Sequence, residues 1–344
     1  ARRASFQVGG KGVNVSKMLA RLGAPTTALC FAGGAPGDEC AAWLRASGIG
    51  HRVFPTSAVT RAGTVIRAPG QPETTFLGPD APPDADALAA CAAWLDEERL
   101  KAETNQRHEA AGIASALQPF SPSALPSRPA LALCGSFPGW DAPAAAPLRA
   151  ALSRWAEAGR LFVDAYGPPL AWAVGQPAAL IKINRDELIQ LASDGEERPK
   201  AEGLNAEKNL RNDAARVASA FQPFSPSALP PARPTSELLA DARRRHPAVR
   251  RWIISDGPRE VWFAEAGDAP PAMLRPPPVR EVSATGSGDV LFACVLHNLL
   301  IKHEKSLANA LVFALPYSAA NAASLGVADF DLNQLPNQLS DLTP

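Results

Sequence analysis

Residues 283–296 read SATGSGDVLFACVL, a glycine-rich turn that leads directly into an apolar run. The small residues let the backbone turn tightly and approach a ligand closely, and the apolar run predicts a buried helix that begins at about Asp289. The unpaired N–H groups at the start of a helix, together with its dipole, favour an anion. The Asp289 carboxylate would not attract that anion, but it can take a proton from an attacking hydroxyl. A simpler alternative is that Asp289 caps the helix.

On both sides of this segment, short apolar runs alternate with amphipathic ones. We expect strands at 130–134, 161–164, 179–183, 249–255 and 260–264, with helices at 147–158, 185–191 and 236–245 among them. Such alternation predicts a mostly parallel sheet covered by helices on both faces. Nearer the amino terminus we expect strands at 5–8 and 26–31, a hairpin at 62–67 and 73–77, and helices at 13–22, 37–46 and 84–98.

A second glycine turn, Gly9-Gly10-Lys11-Gly12-Val13-Asn14, precedes the first predicted helix. It is not a Walker A loop, because that loop needs Ser or Thr after the lysine to hold Mg²⁺, and here a glycine follows. Glycines allow the chain to lie flat against a ligand, and an asparagine amide both donates and accepts hydrogen bonds, which suits sugar hydroxyls. The alternative is a strand–turn–helix joint without a ligand.

A third segment, Lys182-Ile183-Asn184-Arg185-Asp186-Glu187, ends a predicted strand and opens a helix. Ligands of open α/β sheets bind at the carboxyl ends of the strands. Asn184 and Glu187 are three residues apart on one helical face and could hold a hydrated Mg²⁺, which takes few protein ligands. The two residues could equally form a helix cap.

The bulk composition excludes several classes of function. Lysine plus arginine equals aspartate plus glutamate, 34 each among 344 residues, which gives no electrostatic case for nucleic acid or an anionic membrane surface. No apolar run reaches the roughly 18 residues that a membrane helix needs. Five scattered cysteines without a CxxC pair indicate buried thiols in a reducing compartment, so we expect a cytoplasmic protein. The chain begins without Met, and we expect an upstream segment.

Two segments, at about 100–129 and 195–234, interrupt the alternation and are predicted to be inserted loops. Each contains the same nonapeptide, QPFSPSALP, at 118–126 and 222–230. Copies so far apart cannot stack as neighbouring repeats of a solenoid. Their proline and serine content favours extended loops, and a docking peptide for a partner is the alternative.

Taken together and in this order, the three motifs resemble the ribokinase-like (PfkB) carbohydrate kinases over about residues 5–327, apart from the insertions. The resemblance implies an α/β fold, a three-layer sandwich with a mostly parallel central sheet and a small β lid. The lid strands would lie at about 1–9 and 52–78 of a single kinase domain that spans 1–344. The resemblance also implies ATP as the phosphoryl donor, Mg²⁺ as a cofactor, and a sugar or sugar phosphate as the acceptor.

The same resemblance implies roles at matching positions. Asp289 matches the catalytic base, and Gly286, Ser287 and Gly288 match the anion hole. The positions that match the nucleotide side are Lys182, Asn184, Glu187, Ser255, Gly257 and Asn321, with Asn184 and Glu187 at the magnesium-bound phosphates and Asn321 near the adenine. The positions that match the acceptor side are Gly9, Gly10, Asn14, Arg61 and Ser136.

Within that family, the first motif and Thr60-Arg61 look most like the fructose-1-phosphate, fructose-6-phosphate and tagatose-6-phosphate kinases, in which the arginine reaches the acceptor. Ribokinase shares the first motif, so a kinase of an unphosphorylated sugar or nucleoside is an alternative. The chain departs from the family pattern at Cys134, Phe137, Ile183 and Ser283. The family's first strand, which ends in a sugar-binding aspartate, is expected before residue 1.

These departures leave a third alternative, a non-catalytic homologue that binds sugar or nucleotide. Because the lid strands of this family often pair between subunits, a homodimer through the lid is also expected.

Overall fold

A computed structural model describes residues 6–66, 74–115, 129–193 and 233–335, and only the backbone of 105–115. The helices of this part of the chain are α1 (Lys11–Arg21), α2 (Gly34–Ala46), α3 (Ala85–Ser115), α4 (Ala146–Glu157), α5 (Pro168–Ala173), α6 (Arg185–Ser193), α7 (Thr235–Arg245), α8 (Ser287–Leu296) and α9 (Leu307–Ala322). The strands are β1 (Ala28–Ala32), β2 (His51–Pro55), β3 (Gly63–Ile66), β4 (Thr74–Leu77), β5 (Leu131–Gly135), β6 (Leu161–Ala165), β7 (Leu180–Asn184), β8 (Trp252–Asp256), β9 (Glu260–Ala264) and β10 (Ala272–Leu274).

The central sheet has six strands in the order β10-β9-β8-β7-β6-β5. Strands β5 to β8 run parallel to one another, whereas β9 and β10 are added antiparallel at one edge. The parallel strands are connected by helices, as right-handed crossovers require. Because parallel strands end at the same edge of a sheet, the residues that follow β5, β6, β7 and β8 lie along one edge.

Apolar side chains fill the space on both faces of this sheet. Along β7, Ile181 and Ile183 belong to a core with helices α3 to α7, whereas Leu180 belongs to a core with α1, α8 and α9. This alternation follows from the two-residue period of a strand. The result is three layers, with helices on either side of the sheet. Lys182 shares the α1 and α8 face with Leu180, and its ammonium pairs there with Asp164.

A second, two-stranded sheet joins β1 and β2 in parallel. The sequence pattern assigned residues 52–55 to the lid, but Phe54 is buried in the same core as α3 and α4, so β2 is part of the body of the molecule. Helix α1 contacts both β1 and β5 and packs along α8. The start of α1 therefore lies close to the start of α8.

The predicted hairpin at 62–67 and 73–77 is present as β3 and β4, which pair antiparallel. All eight of its residues are exposed. The predicted strand at 5–8 is wrong for residues 6–8, which are not in a strand. Phe6 is 65% exposed and buries no apolar surface that could stabilise a strand there.

The first predicted inserted loop is partly a helix. Helix α3 runs to Ser115, well past residue 98 where the sequence pattern ended it. Residues 99–115 are rich in Ala, Glu, Lys and Arg, which favour helix, and the ion pairs Glu97–Lys101 and Arg99–Glu103 link successive turns. Both QPFSPSALP copies and the second predicted insertion, apart from residues 233 and 234, lie outside the described residues. Over the described ranges, none of the helices has the length and apolar character needed to cross a bilayer.

Candidate active site

The glycine turn before α8 is held in a conformation that only glycine adopts easily. Gly286 precedes the first turn of α8 with φ 76°, and a Cβ atom built on it would lie 2.3 Å from a methyl group of Val327. A larger residue would meet both backbone strain and a steric clash. The backbone therefore turns tightly at this point, and the first N–H groups of α8 have no partner inside the helix, although Ser287 N donates to Ala284 O at 3.2 Å.

The side chain of Asn321 stabilises this turn through three hydrogen bonds. Its amide nitrogen donates to Thr285 O and to Ser287 Oγ, each at 3.0 Å, and its oxygen accepts from Ala328 N at 2.7 Å. The side chain is 1% exposed. These bonds use both amide hydrogens and one lone pair of the amide oxygen. In this structure the Asn321 side chain therefore orients the turn before α8.

Asp289 lies in the first turn of α8, and its side chain meets the second glycine motif. Asn14 Nδ2 donates to Asp289 Oδ2 at 2.7 Å, although the two residues are 275 positions apart in the chain. Both side chains are buried, at 7% and 5% exposure. Burial, followed by the negative charge of Asp164, raises the pKa of Asp289 to about 6. A carboxylate with such a pKa can accept a proton near neutral pH.

Two lysine ammonium groups are bonded to Asp164 in the same region. Lys11 Nζ donates to Asp164 Oδ1 at 2.7 Å, and Lys182 Nζ donates to Asp164 Oδ2 at 2.9 Å. The Lys11 ammonium is also 3.7 Å from Glu187 Oε1. Burial lowers the pKa of Lys11, but the Asp164 and Glu187 carboxylates outweigh it and raise this pKa above its ordinary value. Lys11 therefore remains charged under ordinary conditions.

Asn184 and Glu187 form a reciprocal cap at the start of α6. Asn184 N donates to Glu187 Oε2, and Glu187 N donates to Asn184 Oδ1, both at 2.8 Å. The capping alternative is thus what the structure shows, and it fixes both side chains at the end of β7. Ser255 lies beside Asn184 in the register of β7 and β8, and Gly257 follows β8 with φ 55°. The predicted nucleotide-side residues at these two strand ends are therefore neighbours.

The residues predicted to bind the acceptor are less closely clustered than those predicted to bind the nucleotide. Gly9 and Gly10 are exposed, and no atom lies within 4 Å of where their Cβ atoms would be. Gly135, next to Ser136, lies close to α1, since a Cβ atom built on this glycine would be 3.8 Å from Lys11 Cβ. Arg61 lies farther along the chain, before the exposed hairpin, and its Nη1 donates to Asp80 Oδ2 at 3.0 Å.

The structure thus gathers Asn14, Lys182, Glu187 and Asp289 around Asp164 and Lys11, which the sequence reasoning did not select as site residues. Asp164 is a charged residue at the end of a predicted buried strand, and this position was a usable signal. Among the described residues, no cluster of three or more His, Cys, Asp or Glu side chains could hold a metal by itself.

Comparison with known proteins finds a family match over the first part of the chain. Residues 1–125 match the family model described as pfkB family carbohydrate kinase. No curated protein sequence matches the chain.

Among solved structures, phosphofructokinase-2 from Escherichia coli in complex with fructose-6-phosphate is similar, with TM-score 0.63, 20% identity and coverage of 92% of this chain and 83% of that chain. A possible 1-phosphofructokinase from Thermotoga maritima gives TM-score 0.62, 15% identity and coverage of 97% and 88%. Ribokinase from Giardia lamblia gives TM-score 0.59, 12% identity and coverage of 93% and 84%. The predicted fold and the resemblance to ribokinase-like PfkB kinases are confirmed.

The raised pKa of Asp289 predicts that this residue lowers stability at neutral pH. Its folded pKa of about 6 exceeds the ordinary 3.8, so the folded state holds its proton more tightly and loses stability as pH rises from about 4 to 6. Asp289→Asn, which cannot ionise, should therefore raise the free energy of unfolding by roughly 1–3 kcal/mol above pH 6. Denaturant unfolding at several pH values measures this difference.

The difference should disappear below about pH 4, where Asp289 is protonated in both states. As a control, Asp38→Asn on the exposed side of α2 should change the free energy of unfolding by less than about 0.5 kcal/mol. A gain at Asp289 that is the same at every pH would contradict the assigned cause.

Proposed function

With the phosphofructokinase fold and a pfkB carbohydrate-kinase match over residues 1–125 as premises, we propose that this chain transfers the γ-phosphoryl group of ATP to a hydroxyl of a sugar phosphate. The acceptor is of the fructose-1-phosphate, fructose-6-phosphate or tagatose-6-phosphate type. The structural relatives include a phosphofructokinase-2 in complex with fructose-6-phosphate, which supports this class of acceptor.

One observation carries the proposal: a buried carboxylate with a pKa of about 6 lies in the first turn of a helix and is bonded to an asparagine of the glycine turn. The carboxylate of Asp289 is the base. It accepts the proton of the attacking hydroxyl as that oxygen forms its bond to the γ-phosphorus and the bond to the β-phosphate oxygen breaks. The N–H groups of Gly286, Ser287 and Gly288 stabilise the charge on the transferred group.

Asn14 orients this base. Its amide donates to Asp289 Oδ2 and leaves Oδ1 for the hydroxyl, and its position in α1 places it beside Gly9 and Gly10, where the sugar would lie. Ser136 follows a glycine near Lys11 and adds a hydroxyl on the same side. These groups supply hydrogen bonds of the kind that sugar hydroxyls form. Near-attack geometry of the hydroxyl and the phosphorus supplies much of the rate enhancement of such reactions.

On the nucleotide side, we assign the phosphates to Lys182, Asn184 and Glu187 and the adenosine part to Ser255 and Gly257, with Asn321 holding the anion turn. Mg²⁺ fits the donor set at Asn184 and Glu187, because this ion keeps several waters and binds one or two protein oxygens together with phosphates. The reciprocal cap uses one oxygen of each side chain and leaves Glu187 Oε1 directed toward Lys11. When bound, Mg²⁺ would neutralise charge on the β- and γ-phosphates.

We also propose a homodimer that forms through the hairpin β3–β4. A two-stranded hairpin is marginally stable alone, and this one exposes apolar side chains on both faces, Ile66 and Phe76 on one and Val65 and Leu77 on the other. One face of the hairpin can cover the sugar, and the other face can contact a second copy of the chain. The compartment we propose is the cytoplasm, since ATP is available there and all five cysteines are free thiols.

The test of the base is Asp289→Asn. Phosphoryl transfer should fall by about 10²- to 10⁴-fold, because general-base catalysis is lost, while ATP binding stays near the wild-type value. Coupled ADP-release assays with the three hexose phosphates and with plain sugars give the rate, and calorimetry gives ATP binding. In the wild type, kcat/KM should rise with pH through about 6, where Asp289 loses its proton, and then level off.

Asp96→Asn is a control, because Asp96 pairs with Arg154 between α3 and α4, away from the cleft. This variant should keep its activity. An Asp289→Asn variant that retains full activity would remove the base assignment.

Arg61 decides between a sugar phosphate and a plain sugar as the acceptor. If its guanidinium leaves Asp80 to bind the acceptor phosphate, Arg61→Ala should raise KM for the sugar phosphate by about 10- to 100-fold. The KM for an unphosphorylated sugar should hardly change. Arg154→Ala, which removes another half-exposed ion pair, is the matched control. Equal effects on both acceptors would favour a kinase of unphosphorylated sugars.

The dimer is tested with Phe76→Asp, a charge placed on an apolar lid surface. Light scattering after size-exclusion chromatography should show the wild type at twice the chain mass and the variant at the chain mass, since a buried unpaired carboxylate is costly. Leu100→Asp alters a side chain of similar exposure on α3 and should remain dimeric. A wild type that is monomeric at all concentrations, or a dimeric Phe76→Asp, would refute this interface.

A further inference from the structure

Asp164 is the most deeply buried charged group of the candidate site. It has no solvent exposure, although it is the fourth residue of β6, near the edge where ligands would bind. Its neighbour in the register on β5 is Cys134, whose pKa burial raises well above the ordinary value. A thiol is a weak hydrogen-bond donor, so Cys134 does not give Asp164 a strong hydrogen bond. A buried carboxylate needs charged partners, and its partners here come from elsewhere.

These partners are two ammonium groups from two different elements. One carboxylate oxygen accepts from Lys11 of α1, and the other accepts from Lys182 of β7. Glu187 Oε1 also lies 3.7 Å from the Lys11 ammonium, so the formal charges of the two lysines and the two carboxylates sum to zero. Burying ion pairs of this kind has a desolvation cost that their attraction often fails to offset, so stability alone is a weak reason for the arrangement.

The positions of the two ammonium groups indicate what they serve. A Cβ atom on Gly288 would lie 2.6 Å from Lys182 Nζ, so this ammonium lies directly against the anion turn. The Lys11 side chain is 25% exposed, and its ammonium lies 5.4 Å from the centre of the Tyr166 ring. One ammonium is thus inside, next to α8, and the other borders the open side of the cleft. The two ammonium groups share Asp164 as a hydrogen-bond partner.

We propose that Asp164 is a positioning residue for phosphoryl transfer, which holds the ammonium groups of Lys11 and Lys182 at fixed places beside Asp289 and the turn at Gly288. This inference rests on the proposed kinase function. Asp164 itself touches neither substrate. It acts by keeping two flexible side chains in one arrangement, so that their charge is already in place when the phosphoryl group carries its greatest charge.

The charges of Asp164 and Lys11 also affect the pKa of the base, Asp289. The groups that face Asp289 are Asp164 from β6, Lys182 from β7, and Lys11 and Asn14 from α1. Burial first and Asp164 second raise the pKa of Asp289, whereas Asn14, Lys182 and Lys11 lower it. Neutralising Asp164 should therefore lower the pKa of the base, and neutralising Lys11 should raise it. A purely structural link between β6 and its neighbours would not produce these opposite shifts.

The experiment compares Asp164→Asn, Lys11→Gln and the double variant in the ADP-release assay across pH 5–8. Asp164→Asn keeps the shape of the side chain, and kcat should fall by about 10- to 100-fold. The acid limb of the kcat/KM profile should move to lower pH in Asp164→Asn and to higher pH in Lys11→Gln. Because Asp164 acts through Lys11, the double variant should lose less than the product of the two single losses.

Lys11→Arg should recover part of the activity lost in Lys11→Gln, because it keeps the positive charge. Should Asp164→Asn fail to fold, the shift of the acid limb in Lys11→Gln and its recovery in Lys11→Arg still test the charge arrangement. Asp96→Asn should leave kcat and the pH profile unchanged. An unshifted acid limb in Asp164→Asn, or single losses that multiply in the double variant, would overturn the inference.

A wild type that releases no ADP with any acceptor would refute the proposed function rather than the arrangement of the lysines. Calorimetric binding of inorganic tripolyphosphate then tests the arrangement directly. Asp164→Asn should weaken this binding by at least about threefold if the two ammonium groups lose their places. Equal or tighter binding means that Asp164 contributes only its negative charge, and it overturns the inference.

Discussion

The hydrogen bond between Asn14 and Asp289 is the contact on which the rest of the candidate site depends. It joins two helix starts that are 275 residues apart in sequence, and both side chains are buried where they meet. The bond requires that α1 lie against α8 with its glycine turn at the same edge of the sheet as the turn at Gly286. Packing of α1 along α8 and across β5 meets this requirement. The site is therefore a product of helix packing, not of either motif by itself.

Burial explains both the raised pKa of Asp289 and the stability that the fold gives up at this site. Asp289 and Asp164 lie among apolar residues of the α1 and α8 layer, where a charge is poorly solvated. The same desolvation raises the pKa of Asp289 toward neutrality, which makes the carboxylate a better proton acceptor near pH 7. A fold that keeps unfavourable charges in its core gives up stability for function, a trade that is common at active sites.

The sequence could predict the parts of this structure that depend on local patterns. Strand ends followed by polar residues marked the edge that carries Asn184 and Ser255, and the glycine turn marked the start of α8. The sequence marks Asp164 only as a charged residue at the end of a predicted strand, and its partner is identified only by the register of β6 and β7, which sets it beside Lys182. The helix at 99–115 was not predicted, because the proline-rich stretch that follows these residues outweighed their helix-forming composition.

Helix α1 does more than present Asn14. One and two turns farther along, Lys17 donates to Val327 O and Arg21 donates to the carbonyls of Ala328 and Phe330. Val327 is the residue that fills the space where a side chain at Gly286 would lie. The helix that orients the base thus also fixes the segment that forces the tight turn before α8. The base and the anion turn both lie at the start of α8, and α1 supports them from two separate points along its length, through Asn14 and through Lys17 and Arg21.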